Sequence, residues 1–282
     1  MGKVDVISSI FESFELIREH YKEVAVPLLV LILLSGIGHF GGSSFSNNYG
    51  QNGAEPFEGA GLANAMMGDN GGVLALGGFL LLLIAAVILM FLAVMVISEA
   101  TTFYIYEHFY AILNKKKIKA KWTERFGRLA GKSIVLILFR LAIFAAVFML
   151  PLLQFWNIVS TLEAMSVAGI IGALFSIAFA LVAGIVMFVI VSFALTPLWV
   201  YYVMDGKGLF DSAGKSVNLV VGNPASFMLM AFVFGLLGIG MACTIMISTC
   251  CCLSWLVSPI LSVGFSMLYG VTLMKVKLAI EK

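Results

Sequence analysis

The positions of the basic residues constrain the fold of this chain more than any other feature. The 17 Lys and Arg residues fall in four groups, at 3–22, 115–140, 207–215 and 275–282. The three long stretches between these groups contain no Lys or Arg. Each stretch holds two apolar runs, and each run can supply the ~20 residues that cross a hydrocarbon layer of ~30 Å. The pattern therefore predicts three hairpins of membrane-spanning helices.

Composition supports the same conclusion. The chain of 282 residues is 61% hydrophobic and 11% charged, whereas soluble domains are about 45–50% apolar and about 25% charged. So few charged side chains cannot cover a water-facing surface, which excludes a soluble globular protein, a disordered chain and a secreted disulfide scaffold. We predict an all-α integral membrane protein whose single domain covers 1–282. Its six spans are predicted near 24–40, 74–98, 134–155, 170–196, 225–247 and 255–275.

The charge pattern also predicts the orientation of the chain. Every group of cations lies at the base of a hairpin, so the positive-inside rule places both termini and both inter-hairpin loops in the cytoplasm. The plasma membrane is the expected location. The first outer loop, 41–72, is rich in Gly and Asn and is expected to be flexible. A signal peptide does not fit the first apolar run, because acidic residues are frequent in 1–23.

The N-terminal segment is predicted to be an amphipathic helix at the cytoplasmic interface. Its apolar residues recur at steps of three and four; they are Ile7, Ile10, Phe11, Phe14, Ile17 and Tyr21.

Two cytoplasmic segments resemble each other and indicate an internal repeat. Segments 129–134 and 212–217 share Ala-Gly-Lys-Ser followed by a β-branched residue, and each precedes an apolar run. The N-terminus offers a weaker third copy. We therefore predict three parallel repeats of interfacial helix plus transmembrane hairpin, over about 1–113, 114–204 and 205–282. Each copy of the shared motif is expected in a helix that lies along the cytoplasmic face.

Two helices are predicted to continue beyond the membrane. From Val73 to about Tyr110 the helical pattern is interrupted only by Gly77 and Gly78 near its start, which predicts a helix of ~55 Å. The fourth span is expected to run on to Met204, with a kink at Pro197.

The stretch 193–223 resembles a signature of archaeal and bacterial multi-pass membrane families. In these families a span ends in an aromatic stretch and Asp, here Trp199 to Asp205, and a helix with spaced small residues then leads to Gly-Asn, here at 222–223. The families include uncharacterised archaeal proteins and the membrane domain attached to some glycerophosphodiester phosphodiesterases. The resemblance implies a six-span fold and no activity of its own.

Candidate sites for chemistry are sparse in this sequence. A phosphate-binding loop needs a Gly where Phe126 and Leu209 stand, so the Gly-Lys-Ser motifs favour helix packing. The three histidines fall in separate predicted elements, which argues against a shared metal site. The adjacent cysteines 250–252 and Cys243 favour apolar filler, with a Cys243–Cys250 or intermolecular bridge as the alternative. No cofactor is predicted.

Two spans carry small residues at every fourth position, which predicts close helix packing. The fourth span has Gly172, Ser176, Ala180 and Gly184, and the sixth has Ser254, Ser258, Ser262, Ser266 and Gly270. The alternative is that the serines line a polar pathway, although such pathways usually also use ionisable groups.

Arg140 is the one charge predicted clearly inside a span, eight residues past Lys132 and ~10 Å deep. Two interpretations remain open: the side chain snorkels to the inner headgroups, or it pairs with Glu99, which lies at a similar depth. No enzyme signature accompanies these residues. The sequence predicts a non-enzymatic scaffold or accessory subunit, with membrane lipids and protein partners or a second copy as neighbours and no nucleic acid. The alternative is a carrier or channel for a small solute.

Overall fold

The computed structural model describes residues 5–46, 70–116, 122–161, 167–250 and 254–281. Throughout these ranges every regular element is helical. The helices are α1 (Val6–His20), α2 (Ala25–Ser46), α3 (Asn70–Leu113), α4 (Trp122–Thr161), α5 (Val167–Ala194), α6 (Leu209–Gly222), α7 (Pro224–Cys250) and α8 (Ser254–Ile280). A short 3₁₀ turn, Tyr21–Val24, joins α1 to α2, and a π-helical turn, Val200–Met204, follows α5.

Within the part of the chain that the structure describes, five helices are long and apolar enough to cross a membrane. Their apolar segments are Leu81–Leu113, Trp122–Met149, Ile171–Ala194, Pro224–Thr249 and Val257–Ile280. The prediction of an all-helical fold is thereby confirmed for the described residues, and these five helices are compatible with a multi-pass membrane protein. The long helix expected from Val73 is also present, because α3 has 44 residues and extends ~66 Å at ~1.5 Å per residue. The first predicted span falls within α2, which is not one of these five helices.

Helices that follow one another in the chain pack side by side. α2 packs against α3, α4 against α5, and α7 against α8. α8 also contacts α1, α2 and α3, and it is the most buried of the five spans. α4 also contacts α3, and this contact connects the α4–α5 pair to the other helices.

The buried core lies at one end of the bundle, which we call the cation-rich end. Here the C-terminal halves of α3 and α8 meet α1, α6, the start of α4 and the π-turn. Fully buried side chains of this region include Ile105, Phe109, Leu129, Val200, Phe227, Val271 and Met274. Toward the other end, α3, α5 and α7 expose most of their apolar side chains, as helices facing lipid do.

The fourth predicted span ends close to its predicted boundary. α5 stops at Ala194, turns follow at 195–197, and helical geometry resumes at Leu198 and continues through the π-turn to Met204. The chain is thus helical again as far as Met204, with the predicted interruption at Pro197, although the helix is broken there and not merely kinked. Pro197 gives the physical reason, because proline has no N–H to donate and disfavours helical geometry in the residue before it. The Ser216 hydroxyl of α6 donates to the Ala194 carbonyl at 2.8 Å. The carbonyl group at the end of α5 therefore keeps a hydrogen-bond partner where the helix breaks.

The two copies of the Ala-Gly-Lys-Ser motif have different surroundings. The second copy lies in α6, a separate helix that ends where Asn223 leaves helical geometry before Pro224. The first copy lies inside α4, which continues from Trp122 to Thr161. The prediction of a separate interfacial helix before the third span is therefore wrong. No proline follows the first copy to end the helix, as Pro224 does after the second.

Candidate functional site

A buried lysine organises the cation-rich end. Lys277 of α8 is 1% exposed, and its Nζ lies 2.6 Å from Asp205 Oδ2 and 3.3 Å from Glu281 Oε2. Tyr110 donates its hydroxyl proton to Asp205 at 2.7 Å, and Tyr201 donates to Glu281 at 2.8 Å. Nζ also lies 4.6 Å from the centre of the Tyr201 ring. Lys277 thus connects α3, α8 and the π-turn. Two carboxylates and the Tyr201 ring surround its buried ammonium group and compensate for the loss of water.

The aromatic residues of this network keep their protons. Burial raises the pKa of the Tyr201 hydroxyl, and its hydrogen bond to the Glu281 carboxylate raises it further. Tyr201 therefore stays a hydrogen-bond donor at neutral pH. Sequence reasoning missed this network, although the i, i+4 spacing of Lys277 and Glu281 and the Asp at 205 in the aromatic signature were visible signals.

The lysine of the first motif copy also has a structural role. Lys132 Nζ donates to the carbonyls of Tyr202 and Val203, at 3.1 and 3.0 Å. These carbonyls belong to the π-turn, and a cation at a helical C-terminal end is favourable for its dipole. Together with the Ser216 hydrogen bond, this contact supports the packing interpretation of the motifs.

α1 is attached to the bundle by ion pairs. Glu12 Oε2 lies 2.8 Å from Lys275 Nζ of α8. Glu23 accepts from both His20 Nδ1 and His108 Nε2, each at 2.8 Å. These hydrogen bonds lower the pKa of Glu23 below its ordinary 4.5, and the hydrogen bond from Lys275 likewise lowers that of Glu12.

Two of the three histidines thus meet at one carboxylate, which the sequence did not predict. His20 and His108 lie in different helices, as expected, and Glu23 of the 3₁₀ turn contacts both of them. Within the described ranges, no group of three or more His, Cys, Asp or Glu side chains is arranged to hold a metal ion.

Arg140 and Glu99 form the ion pair that was one of the two open interpretations. Arg140 Nη1 lies 2.6 Å from Glu99 Oε1. The Glu99 side chain is 15% exposed, whereas that of Arg140 is 55% exposed. Glu99 Oε2 is buried and has no hydrogen-bond partner. The pair thus consists of a half-exposed cation and a mostly buried carboxylate with one unsatisfied oxygen.

A polar cavity of about 450 Å³ adjoins this ion pair. Besides Arg140 and Glu99, its walls carry hydroxyl groups from α2, α3 and α8; these come from Ser35, Ser98, Thr102, Tyr106 and Ser266. A smaller cavity of about 220 Å³ is lined by all five of these hydroxyl groups and also reaches Ser262. The structure therefore brings together three of the residues singled out in the sequence, Arg140, Glu99 and Ser266, at one cavity.

An aromatic stack forms one wall of the larger cavity. The Trp199 ring lies 4.6 Å from the Tyr106 ring and 6.1 Å from the Phe103 ring, both stacked. The Tyr106 hydroxyl donates to the Ser266 carbonyl at 2.6 Å. A side chain at Gly270 would overlap the Tyr106 ring, so only glycine fits there. The small residues Ser266 and Gly270 of α8 thus hold the Tyr106 side chain of α3 in place.

A third cavity, of about 320 Å³, begins on the other side of Arg140. It shares Arg140 and Trp199 with the polar cavity, and its remaining lining is mostly apolar. The apolar part comes from Phe139, Ile143, Phe188, Val191, Leu195 and Leu198. We call this third cavity the apolar groove.

The small-residue stripe of the fourth span is only partly a packing surface. Gly184 is buried, and a Cβ there would lie 3.5 Å from the Phe148 ring. Gly172 and Ser176 are exposed, so the described residues show no close packing at these two positions, and packing there stays a prediction. They are exposed because a repeat of four residues advances by ~40° per step relative to a helix of ~3.6 residues per turn. Gly172 therefore lies ~120° around α5 from Gly184.

The remaining predicted residues lie on α8 and α7. Ser258 is buried within α8, and Ser262 is half-buried beside the smaller cavity. Cys243 is an exposed free thiol on α7. The alternative of a Cys243–Cys250 bridge is therefore not formed, and cysteines 251 and 252 lie outside the described residues.

Comparison with known proteins adds no family to this description. No family model matches the chain, and neither a curated protein nor a solved structure matches it. The resemblance to the multi-pass families thus stays a prediction.

Proposed function

We propose that the chain is a non-enzymatic, six-span protein of the plasma membrane that acts as a scaffold or accessory subunit. The proposal takes α2 as the first span and places both termini and the cation-rich end in the cytoplasm. The side-by-side packing of α2 with α3, α4 with α5 and α7 with α8 supports three hairpins. The grouping of cations at one end supports the orientation.

The observation that carries the scaffold proposal is the uneven distribution of packing. At the cation-rich end, the Lys277 network, the Lys132 contact and the ion pairs of α1 connect α1, α3, α4, α8 and the π-turn. Toward the other end, α3, α5 and α7 expose long apolar faces. A rigid cytoplasmic end with free faces in the membrane suits a protein that positions partners or a second copy of itself.

α1 adds a surface suited to such contacts. Its buried face includes Val6 and Ser13, whereas Ile7, Phe11 and Phe14 form a second stripe about 100° away that is exposed. Acidic residues follow on the third side of the helix. An exposed apolar stripe between a packed face and a charged face is typical of helices that lie at a membrane interface.

Native purification followed by cross-linking and mass spectrometry tests the scaffold role. We expect a partner or a second copy in fixed stoichiometry, with cross-links on the exposed faces of α1, α5 or α7. A monomer without stoichiometric partners would contradict the proposal. Orientation is tested separately, with single cysteines at Ser44 and Lys117 in a background without the native four. Labelling of position 117 from outside intact cells would overturn the assigned topology.

A second candidate, a carrier for a small polar solute, is favoured by one observation. The cavity of about 450 Å³ has an ion pair and several hydroxyl groups in its walls, among them Ser98 and Thr102. Solute pathways in membranes use such groups. Uptake of labelled solutes into reconstituted vesicles, compared with vesicles that contain the Arg140→Gln variant, distinguishes this function from a scaffold, which would show no uptake.

A further inference from the structure

The polar cavity and the apolar groove meet at Arg140 and Trp199, which line both. One compartment offers charges and hydroxyl groups, and the adjoining one offers hydrocarbon and aromatic surface. A ligand that filled both would have a polar end and an apolar end. The Arg140 side chain is 55% exposed, and Phe144, one turn further along the same face of α4, is 48% exposed. Such a ligand could therefore enter from the surrounding lipid.

The polar compartment has one group for an anion. Among the described residues, only Nη1 of the Arg140 guanidinium makes a hydrogen bond, and the side chain is half-exposed. Its remaining N–H groups match the fork geometry with which arginine binds phosphate oxygens.

The same compartment has a second group for a cation. Glu99 Oε2 is a buried acceptor without a partner, and the stacked rings of Phe103, Tyr106 and Trp199 stand beside it. A carboxylate oxygen next to aromatic faces attracts an ammonium group. After a small rotation of the carboxylate, an N–H donor in the cavity would satisfy this oxygen.

We propose that the two compartments bind one zwitterionic phospholipid. The phosphate lies at Arg140, the ammonium group lies between Glu99 and the aromatic wall, and an acyl chain occupies the apolar groove. An anionic lipid without an amine would leave Glu99 Oε2 unsatisfied, and a soluble headgroup would leave the groove empty. The lipid comes from the leaflet at the cation-rich end, because Arg140 is ~12 Å along α4 from Lys132. This binding is additional to the scaffold role and does not depend on it.

The test measures lipid binding to the delipidated full-length protein in detergent by native mass spectrometry. The probes are dioleoylphosphatidylethanolamine, dioleoylphosphatidylglycerol and soluble phosphoethanolamine. We expect one bound phosphatidylethanolamine, with about tenfold tighter binding than phosphatidylglycerol. Soluble phosphoethanolamine is expected to bind at least about a hundredfold more weakly, because it buries no acyl chain.

Variants assign the binding to this site. Arg140→Gln should weaken phosphatidylethanolamine binding about tenfold or more, and Glu99→Gln should remove the preference over phosphatidylglycerol. Ser192→Phe obstructs the apolar groove from an exposed position and leaves the ion pair intact, so it tests the site even where loss of Arg140 impairs folding. Arg128→Gln, on the same helix but outside both cavities, is the matched control and should bind like the wild type.

Three results would overturn the proposal. One is that Arg140→Gln and Ser192→Phe both bind phosphatidylethanolamine as tightly as the wild type does. Another is that the wild type binds the two phospholipids equally. The third is soluble phosphoethanolamine bound as tightly as the lipid, which would instead indicate a site for a soluble solute and favour the carrier function.

Discussion

Removal of Arg140 should destabilise the protein because it leaves the mostly buried Glu99 carboxyl group without its partner. Loss of one partner from a fully buried pair costs ~3–5 kcal/mol, whereas an exposed pair contributes only ~0–1 kcal/mol. Here the carboxylate is mostly buried, at 15% exposure, and the guanidinium is half-exposed, at 55%. We therefore expect Arg140→Met to lower the free energy of unfolding by ~2 kcal/mol, between those limits.

The double variant Arg140→Met/Glu99→Gln should recover part of this loss. A neutral amide costs less to bury than an unpaired carboxylate, so the two changes should be coupled by ~1–2 kcal/mol. The measurement is a double-mutant cycle of reversible unfolding in lipid-free detergent, followed by circular dichroism. Lipid-free conditions keep the effect of the ion pair separate from that of a bound phospholipid.

Arg128 offers a matched control on the same helix. Its side chain is 57% exposed, close to the value for Arg140, and it pairs with Glu107. Glu107 keeps Arg125 at 2.8 Å when Arg128 is removed. Arg128→Met should therefore change stability by less than ~0.5 kcal/mol. Additive effects of the Arg140 and Glu99 changes, or an equal loss in the Arg128 variant, would refute the reasoning.

Three further predictions concern packing and pH. Gly184→Leu should lower the melting temperature in detergent, because a side chain at this position would meet the packed Phe148 ring. Gly172→Leu, on the exposed side of the same helix, should leave the melting temperature unchanged. Equal effects of the two variants would contradict the assigned faces. Gly270→Ala should displace Tyr106 and cost ~1–3 kcal/mol in chemical unfolding, and an unchanged midpoint would contradict the close approach. The pKa of Glu23 is lowered, so its ion pairs stabilise the docking of α1 above about pH 4.5 and are lost as the pH falls further. A spin label on α1 should become more mobile in that acid range, and Glu23→Gln should reduce the change.

The sequence by itself determined which segments are helical and apolar. Runs of about 20 apolar residues cannot leave backbone groups unpaired in lipid, so helices follow from length and composition alone. The same local reasoning predicted the long α3, and matching depths along two spans made a pair with Glu99 one of the two open interpretations of Arg140. Depth is readable because it depends only on distance along the helix, at ~1.5 Å per residue.

Only the tertiary structure decided which faces meet. In lipid, a side chain that packs on a helix and one that faces hydrocarbon are equally apolar, so composition does not reveal how a span is rotated. For this reason the fourfold spacing that includes Gly172 and Gly184 predicted one packing surface, where the structure buries Gly184 and exposes Gly172. The Lys277–Asp205 contact was hidden for a similar reason, because it joins helix ends 72 residues apart. The neighbours of a helix end follow from the packing of the whole bundle, which no local pattern in the sequence specifies.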